Sequence, residues 1–431
     1  MLGYRSVPGT ATSPVRSSAA TPMRNTGDST PPARRHKPDY PLLLLSILLL
    51  VIGLVVVYAI GPALTAASGG HGANYVAHQL IAIALSAIAF TITARIPLSQ
   101  WSLLQKPLVM GAIAATLLAV ILPVNPEYPA HRWVRLGGFS FQSVELVKFA
   151  LVIWLSGFLA TQLQQGKITD GKATFRPLLI ILAVGGFIIA GIQSDLGSAG
   201  VLVMMAGVMA YVAGLPMRRI MLFGAIIAIG VVLAVAAEPY RRDRLFAFMH
   251  PEANCQTTGY QACQALIAVG SGGIAGLGLG KSVQAYGYLP EAANDSIFAI
   301  YAEKFGFIGC IVLLALFGAL FARLARIAER AADMRSRLLV IGILTWLSVQ
   351  ALINIGAMIG VLPLKGITLP FISYGGTSVV FIAAAVGLAF QLSAYTSFVS
   401  PLEGRKGQSY DHRRHGRGIG RTHYADLSSR R

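Results

Sequence analysis

LLLLSILLLVIGLVVVYAI, residues 42–60, runs for nineteen positions without a charged side chain. Wound as a helix rising 1.5 Å per residue, it covers roughly the 30 Å of hydrocarbon in a bilayer. The rest of the chain has the same character. Of 431 residues, 55% are hydrophobic and only 12% charged, with a mean hydropathy of +0.65. A soluble chain carries about 25% charge, so these residues cannot clothe globular domains in water. Disorder over most of the length is excluded by the same apolar richness. The 46 glycines show no period of three, which excludes a collagen-like repeat. Apolar runs of helical length favour a helix bundle over a β-barrel.

The runs predict ten membrane spans, at 42–60, 76–94, 107–124, 144–161, 177–191, 197–212, 220–237, 297–321, 338–362 and 378–398. The fifth and sixth are short and read as a hairpin, with Gly191 and Gly197 bracketing a polar Gln-Ser-Asp tip. Lys and Arg set the orientation: 26 lie on the side of the two tails and 7 on the other, with Lys148 and Lys304 inside spans. Positively charged loops stay in the cytoplasm, so both termini are expected there. The net charge of +18 is therefore a topology signal, with contact to anionic membrane lipids, and does not call for nucleic acid. The expected class is an all-α polytopic protein of the cytoplasmic (inner) membrane.

Residues 1–38 are rich in Pro, Ser, Thr and Arg and read as a disordered basic tail. Residues 39–398 form the ten-helix membrane domain, and 399–431 a second basic tail. The first apolar run is too long, and lies too far from Met1, for a cleaved signal peptide, so it reads as an anchor. Without an evident internal repeat, an inverted-repeat transporter is disfavoured.

One long loop, 238–295, joins spans 7 and 8 on the outer side. Loops of that length in a compact protein are usually functional. Its middle, from Tyr260 to Val269, has the apolar and small alternation of an interfacial or re-entrant helix. The run GSGGIAGLGLGKS, 270–282, is not a phosphate-binding loop, because Ala275 stands where that motif needs glycine. It suits backbone that approaches its neighbours closely at a membrane surface. Cys255 and Cys263 lie in this loop eight positions apart. A bridge between them is permitted outside the cytoplasm, and two free thiols are the alternative.

Ionisable groups at membrane depth are costly and are functional candidates by default. Glu145 and Lys148 share a helix face at spacing i, i+3 and can pair, either as a site or as a structural brace. Glu303 and Lys304 lie in span 8, where Glu303 is expected to partner a basic residue. Arg132 and Arg135 flank Trp133 in an outer loop. There a guanidinium fork suits a lipid phosphate or pyrophosphate, or simply snorkels to the headgroups. Gly356 and Gly360 form a G-x-x-x-G that reads as helix packing. The eight His lack metal spacing, and no nucleophile with an adjacent base follows from spacing.

The segments HRWVRLGGFSFQSVELVKFA (131–150), QSDLGSA (193–199), the 259–309 stretch through GYLPEAANDSIFAIYAEKFGFIG, and NIGAMIGVLPLKGITLPFISYGGTS (354–378) resemble the SEDS family. Those are the peptidoglycan polymerases of the FtsW, RodA and SpoVE type, and the LKGITLPFISYGG wording resembles FtsW or SpoVE more than RodA. The resemblance implies a glycosyltransferase that polymerises lipid II at the outer membrane face, with a class B penicillin-binding protein and other division or elongation proteins as partners. The family's acidic residue in its LPEAHTDFIFA motif falls on Asp295. The Glu and Lys of its PSE-x-x-K motif fall on Glu145 and Lys148, and its Arg-Trp on Arg132 and Trp133. Departures are Ala293 and Asn294 in place of His-Thr, Ser296 in place of Phe, Ser194 within QPDLG, and Ser143 in place of Pro.

Glycosyl transfer needs a base for the acceptor hydroxyl and positive charge for a departing pyrophosphate. Asp295 is the expected base. Arg132 and Lys148, with Glu145, Trp133, Lys281 and Lys365, are expected to hold substrate and pyrophosphate. Glu303, Asp195 and Gln193 are expected in supporting roles. No dedicated metal cage is legible, although a divalent cation, Mg or Mn, could assist. A lipid II flippase and a non-catalytic scaffold for the transpeptidase are the rival readings.

Overall fold

In a computed structural model of the chain, the described residues are 34–35, 37–67, 75–122, 133–136, 139–237, 239–250, 255–257 and 259–396. Arg132, both tails up to residue 33 and from residue 397, and parts of the 238–295 loop lie outside them. The helices are α1 (Tyr40–Ala67), α2 (Tyr75–Arg95), α3 (Leu98–Ile121), α4 (Ser143–Gln164), α5 (Gly171–Ile192, opening and closing on π-helical turns), α6 (Leu196–Val212) and α7 (Met217–Ala237). After these come α8 (Pro239–Met249), α9 (Tyr260–Ser271), α10 (Ile297–Glu329), α11 (Met334–Met358) and α12 (Gly376–Ser393). Each of the ten expected spans falls on a helix. Among the described residues eight helices, α1–α5 and α10–α12, are long and apolar enough to cross a membrane. The shorter α6 and the 21-residue α7 stand beside them.

The helices are sorted by burial. In the apolar windows of α4, α11 and α12, 61%, 67% and 72% of residues are buried, against 33% or fewer in the other five. Those three make the centre, and the peripheral helices turn bare apolar faces outward, with Leu103 at 78% and Ile121 at 79% exposure. Such surface is untenable in water and natural in lipid. At the end where the chain enters α1, Arg323 of α10 grips both carboxylate oxygens of Asp39. The Asp39 amide donates to Ser393 Oγ at 2.8 Å, and a short ladder pairs β1 (Arg34–Arg35) with β4 (Tyr395–Thr396). The entry to α1 and the exit from α12 are thus tied together.

Several boundaries differ from expectation for identifiable reasons. The sequence predicts span 3 at 107–124, starting at Pro107; α3 begins at Leu98 and carries Pro107 inside. Its first turns are held by buried Trp101, whose indole donates to the Ile96 carbonyl at 3.2 Å and whose ring meets Phe149 of α4 edge-on. Span 9 ends at Met358, not 362. Gly360 is the left-handed residue of a Schellman cap, with φ +74°, and the amides of Gly360 and Val361 donate back to Ala357 and Gly356. The glycine pair therefore stops α11, and Gly360 also lies close against Leu266 of α9. The 131–142 segment holds an unexpected hairpin, β2 (Trp133–Leu136) against β3 (Phe139–Gln142), which feeds directly into α4.

Candidate active site

The helix ends on the Asp295 side converge on one buried polar layer. On α4, Lys148 has no exposed surface. Its ammonium donates to Glu145 Oε1 and to Gln350 Oε1 of α11, both at 2.7 Å, and sits 5.2 Å from the centre of the Trp346 ring. The Trp346 indole donates to the same Gln350 oxygen at 2.8 Å. The Gln350 amide then donates to the Thr368 carbonyl at 3.0 Å, and the Thr368 hydroxyl meets Ser378 of α12 at 3.0 Å. One buried ion pair thus connects the three central helices. The ammonium has a second acceptor in Gln350, which helps to offset the cost of burying the pair, whereas the other Glu145 oxygen, Oε2, is buried without a partner.

The expected fifth-to-sixth hairpin is present: α5 ends at Ile192, α6 starts at Leu196, and Gln193, Ser194 and Asp195 form the tip. Asp195 caps α6 by accepting the Ser198 amide at 3.0 Å. Carboxylate capping of a helix N-terminus satisfies free amides and complements the helix dipole. Gln193 donates to Ser143 Oγ at 3.0 Å and fixes the tip to the start of α4. Both side chains are buried, at 1% and 2% exposure. A side chain on Gly197 would strike Ile367 and the Lys365 Cβ, which places the α11–α12 connection against the start of α6.

Asp295 is partly exposed and stands two residues before α10, whose cap position is Ser296. Its backbone is clamped. Asn354, one turn beyond Gln350 on α11, donates its amide to the carbonyls of Asp295 and Ile367, both at 2.7 Å. The preceding turn is bound to the same connection: the Tyr374 amide donates to Ala293 O at 2.8 Å and the Ser373 hydroxyl to Asn294 O at 2.7 Å. Gln261 of α9 donates to Ser296 Oγ at 3.1 Å. Burial, with Tyr75 beside it, pushes the Tyr374 phenol above its ordinary pKa, so it stays neutral at physiological pH. The partly exposed Asp295 is thus mounted on backbone held by α11 and by the α11–α12 connection.

Glu303 corrects an expectation. Its partner is not a basic residue: the carboxylate accepts the Ser282 hydroxyl and the amides of Val283 at 2.9 Å and Gln284 at 3.3 Å. Lys304 turns to the Leu279 carbonyl, 2.7 Å away. Helix α10 breaks here, at Gly306 with φ +63°. The glycine-rich run is spliced into the break, Leu277 and Gly278 donating to the carbonyls of Glu303 and Lys304, and Phe307 and Ile308 to those of Gly273 and Ile274. A Cβ on Gly276 would come within 2.2 Å of the Lys304 carbonyl, so the close approach expected of that run has a definite target.

The remaining predicted residues are dispersed. Trp133 begins β2 and is partly buried, paired across the ladder with Gln142. Lys281 is exposed on the glycine-rich loop. Cys255 and Cys263 are joined by a disulfide with Cα atoms 5.5 Å apart, and it tethers the start of α9. Among the described residues, no three His, Cys, Asp or Glu gather as metal ligands. That donor set does not fit a protein-held divalent cation, and no step is assigned to one. Reading the sequence missed Gln350, Asn354 and Thr368, uncharged residues whose partners lie far away in the chain.

A polytopic helical protein with a partly exposed, backbone-anchored Asp295 beside a buried ion-pair network is the class that fold and site define. The chain belongs to the FtsW/RodA/SpoVE family of cell cycle proteins, whose profile matches residues 40–398. It is 35% identical over 366 residues to stage V sporulation protein E of Bacillus subtilis (strain 168), covering 85% of this chain and 99% of that protein. It is 34% identical over 364 residues to the probable peptidoglycan glycosyltransferase FtsW of Coxiella burnetii, covering 83% and 96%. Two solved structures share the fold. One, from work on structural coordination of polymerization and crosslinking by a peptidoglycan synthase complex, has a TM-score of 0.67 at 24% identity, covering 83% of this chain and 97% of that one. The other, rod shape determining protein RodA of Thermus thermophilus, has a TM-score of 0.59 at 22% identity, covering 83% and 96%.

Proposed function

We propose that this protein is a peptidoglycan glycosyltransferase that polymerises lipid II into β-1,4 glycan strands at the outer face of the cytoplasmic membrane, for septal wall synthesis. Both tails lie in the cytoplasm, and a class B penicillin-binding protein crosslinks the product. Family membership and the names of the relatives support the activity. The observation that carries the site is the clamped, partly exposed Asp295 at the entry to α10.

In this reading Asp295 removes the proton from the GlcNAc 4-hydroxyl of the acceptor as that oxygen bonds to C1 of the donor MurNAc. The bond from C1 to undecaprenyl pyrophosphate breaks, its electron pair leaves with the pyrophosphate, and the α-linked donor is inverted to a β linkage. We assign the leaving group to Arg132, Lys281 and Lys365, the other basic residues expected at the site. Lys148 has no exposed surface and two side-chain oxygens bonded to its ammonium, so it acts by bracing α4 against α11 instead of touching substrate. Asn354 is a positioning residue, because it acts on the reaction through the Asp295 backbone.

The test is a gel assay of polymer formed from labelled lipid II by purified protein, with and without a class B penicillin-binding protein. Glycan ladders are expected. A protein that carries lipid II across vesicles but forms no polymer with either preparation would contradict the reading and favour a flippase.

A further inference from the structure

Threonine hydroxyls inside a helix commonly bond to the carbonyl one turn back, as those of Thr116, Thr161 and Thr345 do here. Thr377 stands in the first turn of α12, where the residue four back is not yet helical. Its buried hydroxyl turns instead to the β2–β3 hairpin. It donates to the Ser140 carbonyl at 3.1 Å and accepts the Gln142 amide at 3.4 Å. Residues two apart in a strand turn their backbone groups to the same edge, so this one side chain holds β3 at two points.

The hairpin has a second hold on α12, of a different kind. Phe141 meets Phe381, one turn beyond Thr377, edge-on at 6.0 Å, and Phe381 packs in turn on Phe149 of α4 at 5.8 Å. Val134, directly opposite Phe141 in the ladder, shares that face and is buried. Apolar burial has no direction, so it keeps the hairpin on the helix without fixing its register. Hydrogen bonds to two points of one strand do fix it. Trp133 lies on the other face of the ladder, opposite Gln142, whose amide Thr377 holds.

The same short stretch of chain holds the Asp295 turn. Ser373 and Tyr374, just before Thr377, are bonded to the carbonyls of Asn294 and Ala293. The four steps from 373 to 377 span at most roughly 14 Å. We propose that Thr377 is a positioning residue for the transfer reaction: through residues 373–377 it sets the hairpin that carries Trp133 in register with the turn that carries Asp295. This rests on the glycosyltransferase reading above, with Trp133 among the residues expected to hold substrate. When the hydroxyl is lost, substrate contacts on the hairpin remain, but their alignment with the base is no longer fixed. A misplacement of about 1 Å can cost a hundredfold in rate.

Thr377→Val keeps the shape and removes the hydroxyl, whereas Thr377→Ser keeps the hydroxyl. Polymer formation from labelled lipid II is measured per folded protein, the folded fraction being set by thermal unfolding in detergent. The Val variant should show kcat lower by about tenfold or more, with KM within about threefold of wild type. Ser should restore most of the rate. Thr377→Ala, a better helix former, gives the same reading should the Val variant not fold. Hydrogen exchange should rise in β2 and β3, while the amides of Asn294 and Ser296, which donate to the Glu291 carbonyl, stay protected. A hydroxyl-free variant as fast as wild type, a rise in KM alone, a loss that Ser does not restore, or exchange that rises equally at 294 and 296 overturns the positioning role. Each of these leaves the polymerase reading intact. A wild-type protein that makes no polymer from lipid II overturns both.

Discussion

Glu145 with Lys148 and Glu303 with Lys304 are the same chemistry placed twice near the membrane surface, and the fold uses the two pairs in opposite ways. On α4 the acid and base face each other at 2.7 Å, and the base reaches on to Gln350. On α10 they are neighbours in sequence, turn apart, and are spent on the loop: the acid on a hydroxyl and two amides, the base on a carbonyl. The first pair joins helices to one another. The second joins a broken helix to the loop that leads to Asp295. Spacing decides which outcome is available, since i, i+3 residues share a helix face and adjacent ones do not.

The largest effect is expected at the first pair. Lys148→Met leaves Glu145 charged and unpaired at 2% exposure, and breaking such a pair costs about 3–5 kcal/mol. Adding Glu145→Leu should recover most of that loss, because apolar residues of similar volume replace buried ion pairs well. Thermal unfolding in detergent measures both. A double variant no more stable than Lys148→Met would refute the reading of a brace.

At the second pair, Glu303→Ala orphans three donors and should cost about 3 kcal/mol. Glu303→Gln keeps one acceptor oxygen and should cost less. Because this carboxylate serves the loop, hydrogen exchange should rise first in the amides of Val283 and Gln284, at positions that Lys148→Met leaves protected. Equal exchange in both variants would erase the distinction between the pairs.

A smaller contribution is expected from the Cys255–Cys263 bridge, which closes a short loop and should add about 2–3 kcal/mol by chain-entropy reasoning. Cys255→Ser should lower the melting temperature modestly, and non-reduced peptide mass spectrometry should find the bridged pair. Recovery of both thiols alkylated would remove the bridge from the account.

How much of this was legible beforehand follows from what each element depends on. Apolar runs located the spans because lipid demands long uncharged helices. The i, i+3 spacing of Glu145 and Lys148 announced its own pairing. The start of α3 was hidden by Pro107, whose usual role as a helix breaker is outweighed by Trp101 packed on α4. The partners of Glu303 were invisible because two of the three are backbone amides, which carry no mark in the sequence. Gln350 and Asn354 went unnoticed for a related reason: Lys148 lies 202 positions from Gln350, and Asp295 lies 59 from Asn354. Charge shows in a sequence, but neutral amides that bridge distant segments do not.

The central claim is that Asp295 is the base, positioned through the Asn354 clamp on its backbone. Asp295→Asn retains size and backbone, so the Asn354 clamp onto its carbonyl survives. The most direct measurement is polymer formation from labelled lipid II by this variant, in protein shown to melt like wild type and to bind its transpeptidase. The account predicts no glycan above background, because an amide cannot take the proton from the acceptor hydroxyl. Full-length glycan from such a folded, partner-bound variant would contradict it.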